Sequence, residues 1–398
     1  MDYAGAAIMD LVLACTGLGL SLLGAGQTRF NVQNFNVLFA LLMAVAGLGT
    51  AFASIHLSRL SDRFGRRPMI LLSLAGLTVC SLLFAFATRW WHLFAIMAVR
   101  SQFMGIFWPS LEARITDGAE GPEMTRRLGL FGISFCTGLL LGYVLSGVLS
   151  DHWERAPFFV ATGFGILLLI LFKLVFARDR THDGHRTAAD RDDPDPARTE
   201  RARRLRPAFV LSAWVANAVN YACAAVLRNI FPRFARLDVD AGGLGFSGLQ
   251  IGFIAAGTGA AMLLAFVVLG KYHFWHYRFR YLLLAQLGAV GGSLIFAIAA
   301  GPVVLFLGAL LIGSGAGVVY ISSIYYSLDQ QAARAGQSGL HEGILCFGFT
   351  GGMILVAAVS KYFTAHRTPY WLCVAMAASG IGAQIVIYAL HKRRLGAG

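Results

Sequence analysis

The chain has 398 residues, of which 57% are hydrophobic and only 13% are charged. Soluble domains are about 45–50% apolar and about 25% charged, so this composition excludes an ordinary soluble domain and predicts an all-α polytopic membrane protein. The formal net charge is +13, and the distribution of basic residues along the chain explains it without a nucleic-acid partner.

A helix needs about 20 mainly apolar residues to cross a bilayer, because the hydrocarbon is about 30 Å thick and each residue adds about 1.5 Å. Open strands are excluded in lipid, since they cannot satisfy their backbone hydrogen bonds there. We predict twelve transmembrane helices, near residues 5–26, 35–57, 68–88, 91–113, 128–149, 157–176, 208–230, 249–270, 281–299, 302–326, 339–361 and 370–390.

The basic residues predict the orientation of these helices. If both termini are cytoplasmic, the inner segments carry 23 Lys and Arg residues and the outer segments carry seven. Cytoplasmic loops are enriched in Lys and Arg, so we expect both termini on the cytoplasmic side, in a bacterial inner membrane. The first apolar segment has no basic region before it and no cleavage site, which favours an uncleaved span.

Asp10 is the first acidic residue within an apolar segment, about 9 Å into the first helix if that helix begins near Ala4. Two interpretations stay open. The residue is either a protonatable acid that couples transport to an ion, or an acid at a helix end that the segment boundary places one turn too deep.

The loop after the second segment reads SRLSDRFGRRP, from Ser58 to Pro68. It resembles the signature Gly-x-x-x-Asp-Arg-x-Gly-Arg-Arg of the major facilitator superfamily, and its place between the second and third helices also matches. Ser58 stands where the family has glycine, a small-for-small exchange. Looser similarities at 117–129, 153–159 and 232–253 extend the resemblance over nearly the whole chain. It implies two pseudo-symmetric six-helix halves that transport by alternating access.

The resemblance also implies a latch at the cytoplasmic side. The acid of the signature, Asp62 here, would dock on the start of the eleventh helix, whose dipole stabilises an anion by about 0.3–1 kcal/mol. The contact would exist only while that side is closed. The alternative is that the loop only fixes topology. The predicted latch residues are Ser58, Asp62, Arg63, Gly65, Arg66, Arg67 and, as an acidic partner at the end of the fourth helix, Asp117.

Arg100 lies about 14 Å into the fourth apolar segment, near the middle of the membrane. A charge at that depth costs at least about 2.5 kcal/mol, so it should face a water-filled cavity or an acid. We expect Arg100 to bind substrate or take part in coupling, with a structural ion pair as the alternative. Glu112, near the inner end of the same segment, is interpreted as an interfacial residue.

A polar segment at 177–207 separates two groups of six apolar segments. Its mixed charge and prolines predict a flexible cytoplasmic linker between an N-terminal bundle (1–176) and a C-terminal bundle (208–398). Shifting the chain by 210 positions aligns Gly138 with Gly348 and Gly142 with Gly352, which suggests an internal repeat. The linker residues His182, Asp183 and His185 are a weak metal candidate, so we predict no metal and no cofactor.

The seventh segment carries a polar face. Asn217 and Tyr221 are four residues apart with Asn220 beside them, and this spacing favours either a cavity lining or hydrogen bonds between helices. Arg228 lies about 30 Å along the same segment, so it is expected to snorkel to the outer interface.

The eleventh segment opens with SGLHEGIL. If Ser338 caps that helix, His341 and Glu342 lie in its first turns, where a glutamate is stabilised by the helix dipole. The functional alternative is that Glu342 repels Asp62 or attracts Arg63 and Arg66, with His341 making the cytoplasmic gate sensitive to pH.

We therefore predict a secondary transporter of a small polar or anionic solute, coupled to protons and working as a monomer among membrane lipids. An exporter of drugs or metabolites driven by protons is the first alternative. A sensor or assembly partner that does not transport is the second. The chain lacks a phosphate-binding loop and the second histidine of a zinc helix, so no enzyme is predicted.

Overall fold

The computed structural model describes residues 2–23, 35–57, 59–119, 121–178, 196–328, 334–362 and 366–396. Twelve long α-helices run through these ranges, six on each side of residues 179–195. The first half comprises α1 (Asp2–Leu23), α2 (Phe35–Phe52), the short α3 (Leu60–Phe64), α4 (Arg66–Phe86), α5 (Trp90–Ile115), α6 (Gly121–His152) and α7 (Ala156–Arg178). The second half comprises α8 (Pro196–Asn229), the short α9 (Phe231–Arg236), α10 (Gly248–Lys271), α11 (Phe279–Ile298), α12 (Pro302–Leu328), α13 (Arg334–Tyr362) and α14 (Thr368–Gly396).

Eleven of the twelve long helices in the described ranges are apolar and long enough to cross a membrane. The twelfth, α5, is less apolar because Arg100, Gln102 and Glu112 interrupt it. The exposed faces of α4 and α7 carry large aliphatic side chains, among them Leu72, Val79, Leu83, Ile166 and Ile170. These faces fit contact with lipid, and the prediction of a twelve-helix membrane protein is confirmed.

The two ends of the bundle are recognised by contacts between helix termini. Arg114 Nε, at the end of α5, lies 3.0 Å from Asp2 Oδ1 at the start of α1. His391 Nε2, in the last turns of α14, lies 2.9 Å from Arg204 O near the start of α8. We call this the terminal end, and the opposite one the far end.

The halves meet along two pairs of helices, α6 with α10 and α2 with α13. Towards the terminal end, Gly129 of α6 and Gly270 of α10 bring their backbones together, and a Cβ added at Gly129 would lie 2.6 Å from Gly270 Cα. Towards the far end, a Cβ at Gly147 would overlap the carbonyl oxygen of Gly248 and lie 3.3 Å from Gly252 Cα. Both ends of this seam are therefore closed.

The predicted repeat has a structural counterpart. A Cβ added at Gly138 would overlap the carbonyl oxygen of Ala7, so α6 packs closely on α1. In the second half, a Cβ at Gly348 would overlap the carbonyl oxygen of Ala218, so α13 packs on α8 in the same way. The two halves use matching glycines for matching contacts.

The two largest differences from the predicted helix boundaries are at the starts of α6 and α8. The helix α6 begins at Gly121, ahead of the predicted 128, and α8 begins at Pro196, inside the predicted linker. Proline is compatible with a first helical position because its missing N–H has no partner to lose there. Residues 179–195 lie outside the described ranges, so the linker and the domain boundaries stay predictions.

Candidate functional site

The signature loop is organised by one glycine and one arginine. Gly65 separates α3 from α4 with a φ of 90°, a backbone conformation that residues other than glycine rarely adopt. Arg66 Nη1 then lies 2.9 Å from Asp117 Oδ2 and donates to the carbonyl oxygen of Ala113 at 2.8 Å. The loop thus ties the start of α4 to the end of α5 within the first half.

The remaining residues of the predicted latch are placed less fully. Ser58 lies outside the described residues, and the same is true of the side chain of Asp62, whose backbone belongs to α3. The guanidinium of Arg63 lies 5.7 Å from the centroid of the Phe64 ring, and Arg67 is half-buried in the first turn of α4. The contact of Asp62 with the eleventh helix stays a prediction.

A buried carboxyl cluster joins the halves near the terminal end. Glu112 of α5 accepts hydrogen bonds from the Tyr320 hydroxyl of α12 at 2.7 Å and from the Ser338 hydroxyl of α13. The oxygen of Tyr320 also lies 3.2 Å from Glu342 Oε1 of α13. Glu112 is fully buried and Glu342 is only 6% exposed. We call Glu112, Tyr320, Ser338 and Glu342 the carboxyl cluster.

His341 supports this cluster from the side. Its Nδ1 lies 2.9 Å from the Ser323 hydroxyl of α12, and its Nε2 lies 3.8 Å from Glu342 Oε1. The His341 ring meets the Tyr320 ring edge to face at 5.1 Å. The helix α13 begins at Arg334, so Ser338 is an internal residue and not a cap. His341 and Glu342 consequently lie deeper than the sequence predicted.

Aromatic rings cover the carboxyl cluster on its inner side. Tyr320 packs against Phe135 at 5.5 Å, Phe266 at 5.9 Å and Tyr221 at 6.2 Å between ring centroids. Trp108 continues this layer through Phe135 at 6.4 Å. The rings come from α5, α6, α8, α10 and α12. Both halves thus contribute to an apolar layer that closes the terminal end.

Opposite charges face each other deeper in the bundle. Asp10 of α1 is 9% exposed and interacts electrostatically with Arg228 of α8. Among the described residues no oxygen of Asp10 forms a hydrogen bond or ion pair with Arg228, so the two charges face each other without touching. Tyr143 and Tyr221 lie within the electrostatic range of both charges. We call these four residues the central site.

Arg228 does not snorkel outward as the sequence predicted. Its Nη2 lies 3.9 Å from Met262 Sδ inside the bundle, and its Nε has no hydrogen-bond partner among the described residues. The reason is that side chains on a helix lean towards its N-terminus, which here points the guanidinium back into the protein.

Arg100 is another buried guanidinium that forms no ion pair among the described residues. Arg100 is 8% exposed, and its Nη1 lies 4.0 Å from Met97 Sδ. Its charge interacts with Cys80 of α4. Within the described part of the chain no carboxylate forms an ion pair with it. Arg100 therefore lies against α4, apart from the central site.

The asparagines of α8 separate into two environments. Asn220 donates to the side-chain oxygen of Gln286 on α11 and to the carbonyl oxygen of Ala216 at 3.0 Å. Asn217 is fully buried, and its side-chain nitrogen and oxygen have no hydrogen-bond partner in the part of the chain that is described. Asn217 shares a helix face with Tyr221 and Arg228, so the unpaired amide lies on the face of the central site.

The far end is joined by an exposed acid. Asp151 at the end of α6 accepts from the backbone N–H groups of Gly248 and Leu249, at 2.9 and 3.0 Å, where α10 begins. Arg236 Nη1 of α9 lies 2.6 Å from Asp151 Oδ1. A cavity of about 300 Å³ adjoins Arg236 and contains Ser150 in its wall. We call Asp151, Arg236 and the first turn of α10 the far-end latch.

Three residues of these sites were not predicted to be functional from the sequence: Glu112, Arg228 and Asp151. Glu112 was interpreted as interfacial, although an acid inside an apolar segment is itself a signal for a buried function. Arg228 carried the same signal. Asp151 gave none, because its partners lie on α9 and α10, more than eighty residues away.

The described residues contain no group of three or more His, Cys, Asp and Glu side chains arranged to hold a metal ion. The weak candidate at His182, Asp183 and His185 lies outside them. The six cysteines are free and buried.

Comparisons with known proteins identify relatives of the chain. A profile described as Major Facilitator Superfamily matches residues 9–352. The "Tetracycline resistance protein, class H" of Pasteurella multocida is 36% identical over 136 residues, which are 34% of each chain. The "Multidrug resistance protein MdtG" of Enterobacter lignolyticus (strain SCF1) is 28% identical over 266 residues, 67% of this chain and 60% of the relative. These matches span from about a third to three fifths of the relatives' length.

One solved structure is similar over nearly the full length. The crystal structure of the human organic anion transporter MFSD10 (TETRAN) matches with a TM-score of 0.62 over 98% of this chain and 99% of that chain. The sequences are 18% identical. At this identity the likeness supports a common fold.

Proposed function

Because the chain belongs to the major facilitator superfamily, we propose that it is a secondary active transporter driven by protons. It moves a small organic solute out of the cell by alternating access between its two ends. Its position is the bacterial inner membrane, and the terminal end faces the cytoplasm in accordance with the basic residues of that end.

The observation that carries the proposal is the pair of charges in the central site. Asp10 of the first half is buried, and Arg228 of the second half is half-buried with its guanidinium against Met262 inside the bundle. A buried charge is costly in a membrane and is retained where it binds an ion or a solute. Asp10 would hold the proton and Arg228 the solute, one at a time, as the exchange of a proton for a solute requires.

The chemistry of the site favours an organic solute with negative charge. Within the described ranges, Arg228 Nε and the side-chain amide of Asn217 have no hydrogen-bond partner, and Tyr143 and Tyr221 supply aromatic surface. The two relatives are named as a tetracycline resistance protein and a multidrug resistance protein, and the solved structure is named as an organic anion transporter. These names support export of an organic compound more than uptake of a nutrient, so the exporter now leads the two transport alternatives.

Alternating access requires that each end be able to open while the other is closed. The carboxyl cluster and its aromatic layer join the halves at the terminal end, and the far-end latch joins them at the other. Both sets of contacts cross between the halves, so a rocking movement would break one set at a time. The glycines of the α6–α10 seam would let the backbones close again.

The proposal is tested in proteoliposomes with a panel of anionic, neutral and cationic organic solutes. We expect an imposed proton gradient to drive transport of at least one anionic solute in the opposite direction, and reversal of the gradient to reverse the flux. Asp10→Asn should abolish the response to the gradient. Asp2→Asn is the matched control, because Asp2 lies on the same helix but pairs with Arg114 at the terminal end.

Arg228→Gln should weaken binding of the anionic solute at least tenfold and spare neutral solutes. If Arg100→Gln does so instead, the solute site lies against α4. A wild-type protein that transports no solute of the panel in either direction would contradict the proposal and favour a sensor that does not transport.

A further inference from the structure

The carboxyl cluster has fewer hydrogen-bond donors than its oxygens require. Ser338 donates to Glu112, and the Tyr320 oxygen is within hydrogen-bonding distance of both Glu112 and Glu342. A tyrosine hydroxyl carries one proton, so it donates to one carboxyl group at a time. Both carboxyl groups contact the same hydroxyl oxygen, at 2.7 Å and 3.2 Å. An ionised carboxylate only accepts, so the carboxyl group that the hydroxyl does not serve forms a hydrogen bond within the pair only if the pair itself carries a proton.

Among the side chains that the structure describes, no cation lies beside the pair to replace that proton. The titratable groups that face the pair are Tyr320 of α12, Tyr221 of α8, and His341 and Cys346 of α13. His341 Nε2 is 3.8 Å from Glu342, beyond hydrogen-bonding distance.

Two arginines of the terminal end pair with other acids. Arg66 pairs with Asp117, and Arg114 pairs with Asp2. Among the described residues, therefore, Glu112 and Glu342 face each other without a paired arginine or lysine. Two buried carboxylates that contact the same hydroxyl oxygen would repel each other strongly if both were ionised.

We propose that Glu112 and Glu342 form a binding site for one proton, which is filled while the terminal end is closed and emptied into the solvent of that end when it opens. The proton belongs to the pair and not to either residue. On opening, one carboxylic acid of the pair gives its proton to water, and two separate, hydrated carboxylates remain. On closing, the pair takes up one proton.

This inference rests on the proposed function for its role in transport and gives the proton a point of exit. Tyr221 lies within electrostatic range of Asp10 and of Glu342, so it stands between the central site and the pair. A proton that enters from the far end while the terminal end is closed would leave on the terminal side after opening. Inward movement of protons in this sense matches an exporter.

The closed state binds one more proton than the open state, so acid must favour closure and alkali must favour opening. The experiment measures the distance across the terminal end by electron–electron resonance. Spin labels are introduced as unnatural amino acids at Arg59 in the first half and Arg278 in the second, both exposed. We expect the ratio of closed to open protein to change about tenfold per pH unit where the open pair is ionised and the closed pair keeps its proton.

Glu342→Gln should lose this response and stay closed at every pH, because the glutamine amide donates to Glu112 in place of the proton. Glu112→Gln should do the same, and size-exclusion chromatography checks that each variant is folded. Glu123→Gln is the matched control at the same end. Glu123 is a partly exposed acid that pairs with Arg126 and Arg127, so the wild-type response should persist.

If the label distance across the terminal end of the wild-type protein does not change with pH, the inference is wrong. An unchanged pH response in both glutamine variants would also show it to be wrong. The measurement needs no solute, so a pH-dependent gate in a protein that transports nothing would contradict the proposed function and leave the proton site standing. Proton-driven transport in a protein whose label distance does not change with pH would support the proposed function and contradict the proton site.

Discussion

The two ends of the bundle join the same halves with different chemistry. At the terminal end the contacts are buried carboxyl groups, hydroxyl donors and aromatic rings, and Glu112 is fully buried. At the far end, Asp151 accepts from the first N–H groups of α10 and pairs with Arg236, with side chains that are 26% and 36% exposed. As far as the described residues show, the terminal end buries acids without a paired arginine or lysine, and the far end keeps an ionised pair in partial contact with solvent.

This difference predicts how each end responds to solution conditions. Salt screens an exposed ion pair, and a proton has little influence on an acid that is already held by an arginine and a helix N-terminus. Buried carboxyl groups respond to protons and little to salt. The terminal end should therefore open with alkali, and the far end should open with salt.

The largest effect is expected from blocking closure sterically. Gly129→Leu should hold the terminal end open, because even a Cβ there would lie 2.6 Å from Gly270 Cα. Gly147→Leu should hold the far end open, because its Cβ would overlap the carbonyl oxygen of Gly248. We expect transport in proteoliposomes to fall more than tenfold in both variants, while label distances report opposite ends as open.

The matched control for these two variants is Gly163→Leu. Nothing lies within 4 Å of a Cβ added at Gly163, so transport and both distances should match the wild type. If Gly129→Leu and Gly147→Leu open the same end, the assignment of the two gates is wrong.

A smaller effect is expected from removing the shared hydroxyl. Tyr320→Phe keeps the ring contacts with Phe135 and Phe266 but removes the donor between Glu112 and Glu342. Leaving a buried acceptor without its donor costs about 1–3 kcal/mol, so the closed-to-open ratio at the terminal end should fall by a factor of about 5 to 150. The distance between labels at Arg59 and Arg278 measures it.

Tyr143→Phe is the control for this hydroxyl variant, because Tyr143 belongs to the central site and not to the carboxyl cluster. An equal loss of closure in both variants would mean that the hydroxyl of Tyr320 has no special role at the gate.

The smallest effect is expected at the far end. Asp151→Asn keeps an acceptor for the N–H of Gly248 but removes the charge that pairs with Arg236. Partial exposure limits the loss to about 1 kcal/mol, or a shift of about fivefold towards an open far end. High salt should produce a similar shift in the wild type and add little to it in the variant. A variant that remains fully sensitive to salt would show that other charges hold this end.

Much of the fold follows from the sequence because lipid imposes simple rules. The twelve predicted segments are twelve long helices, eleven of which are apolar and long enough to cross a membrane in the described ranges. The glycines aligned by the internal repeat, Gly138 and Gly348, pack on α1 and α8 in corresponding places. The arginine-rich loop also forms a predicted type of contact, since Arg66 pairs with Asp117. These features depend on local composition and spacing.

The site was less predictable because it depends on contacts between distant segments. Glu112 and Tyr320 are 208 positions apart, and no local pattern indicates that they meet. Depth along a helix was also an incomplete guide, because Arg228 begins near the far end but points back into the bundle. Because α13 begins at Arg334, ahead of the predicted start at 339, His341 and Glu342 lie in the interior and not in the first turn of the helix.

The most direct test of alternating gates measures both ends in one preparation, with one label pair across the terminal end and a second pair across the far end, at pH values from 5 to 9. Alternating gates predict opposite changes. As the pH rises, the terminal-end distance lengthens while the far-end distance shortens, and no population has both ends open. Distances that lengthen together at both ends would contradict it.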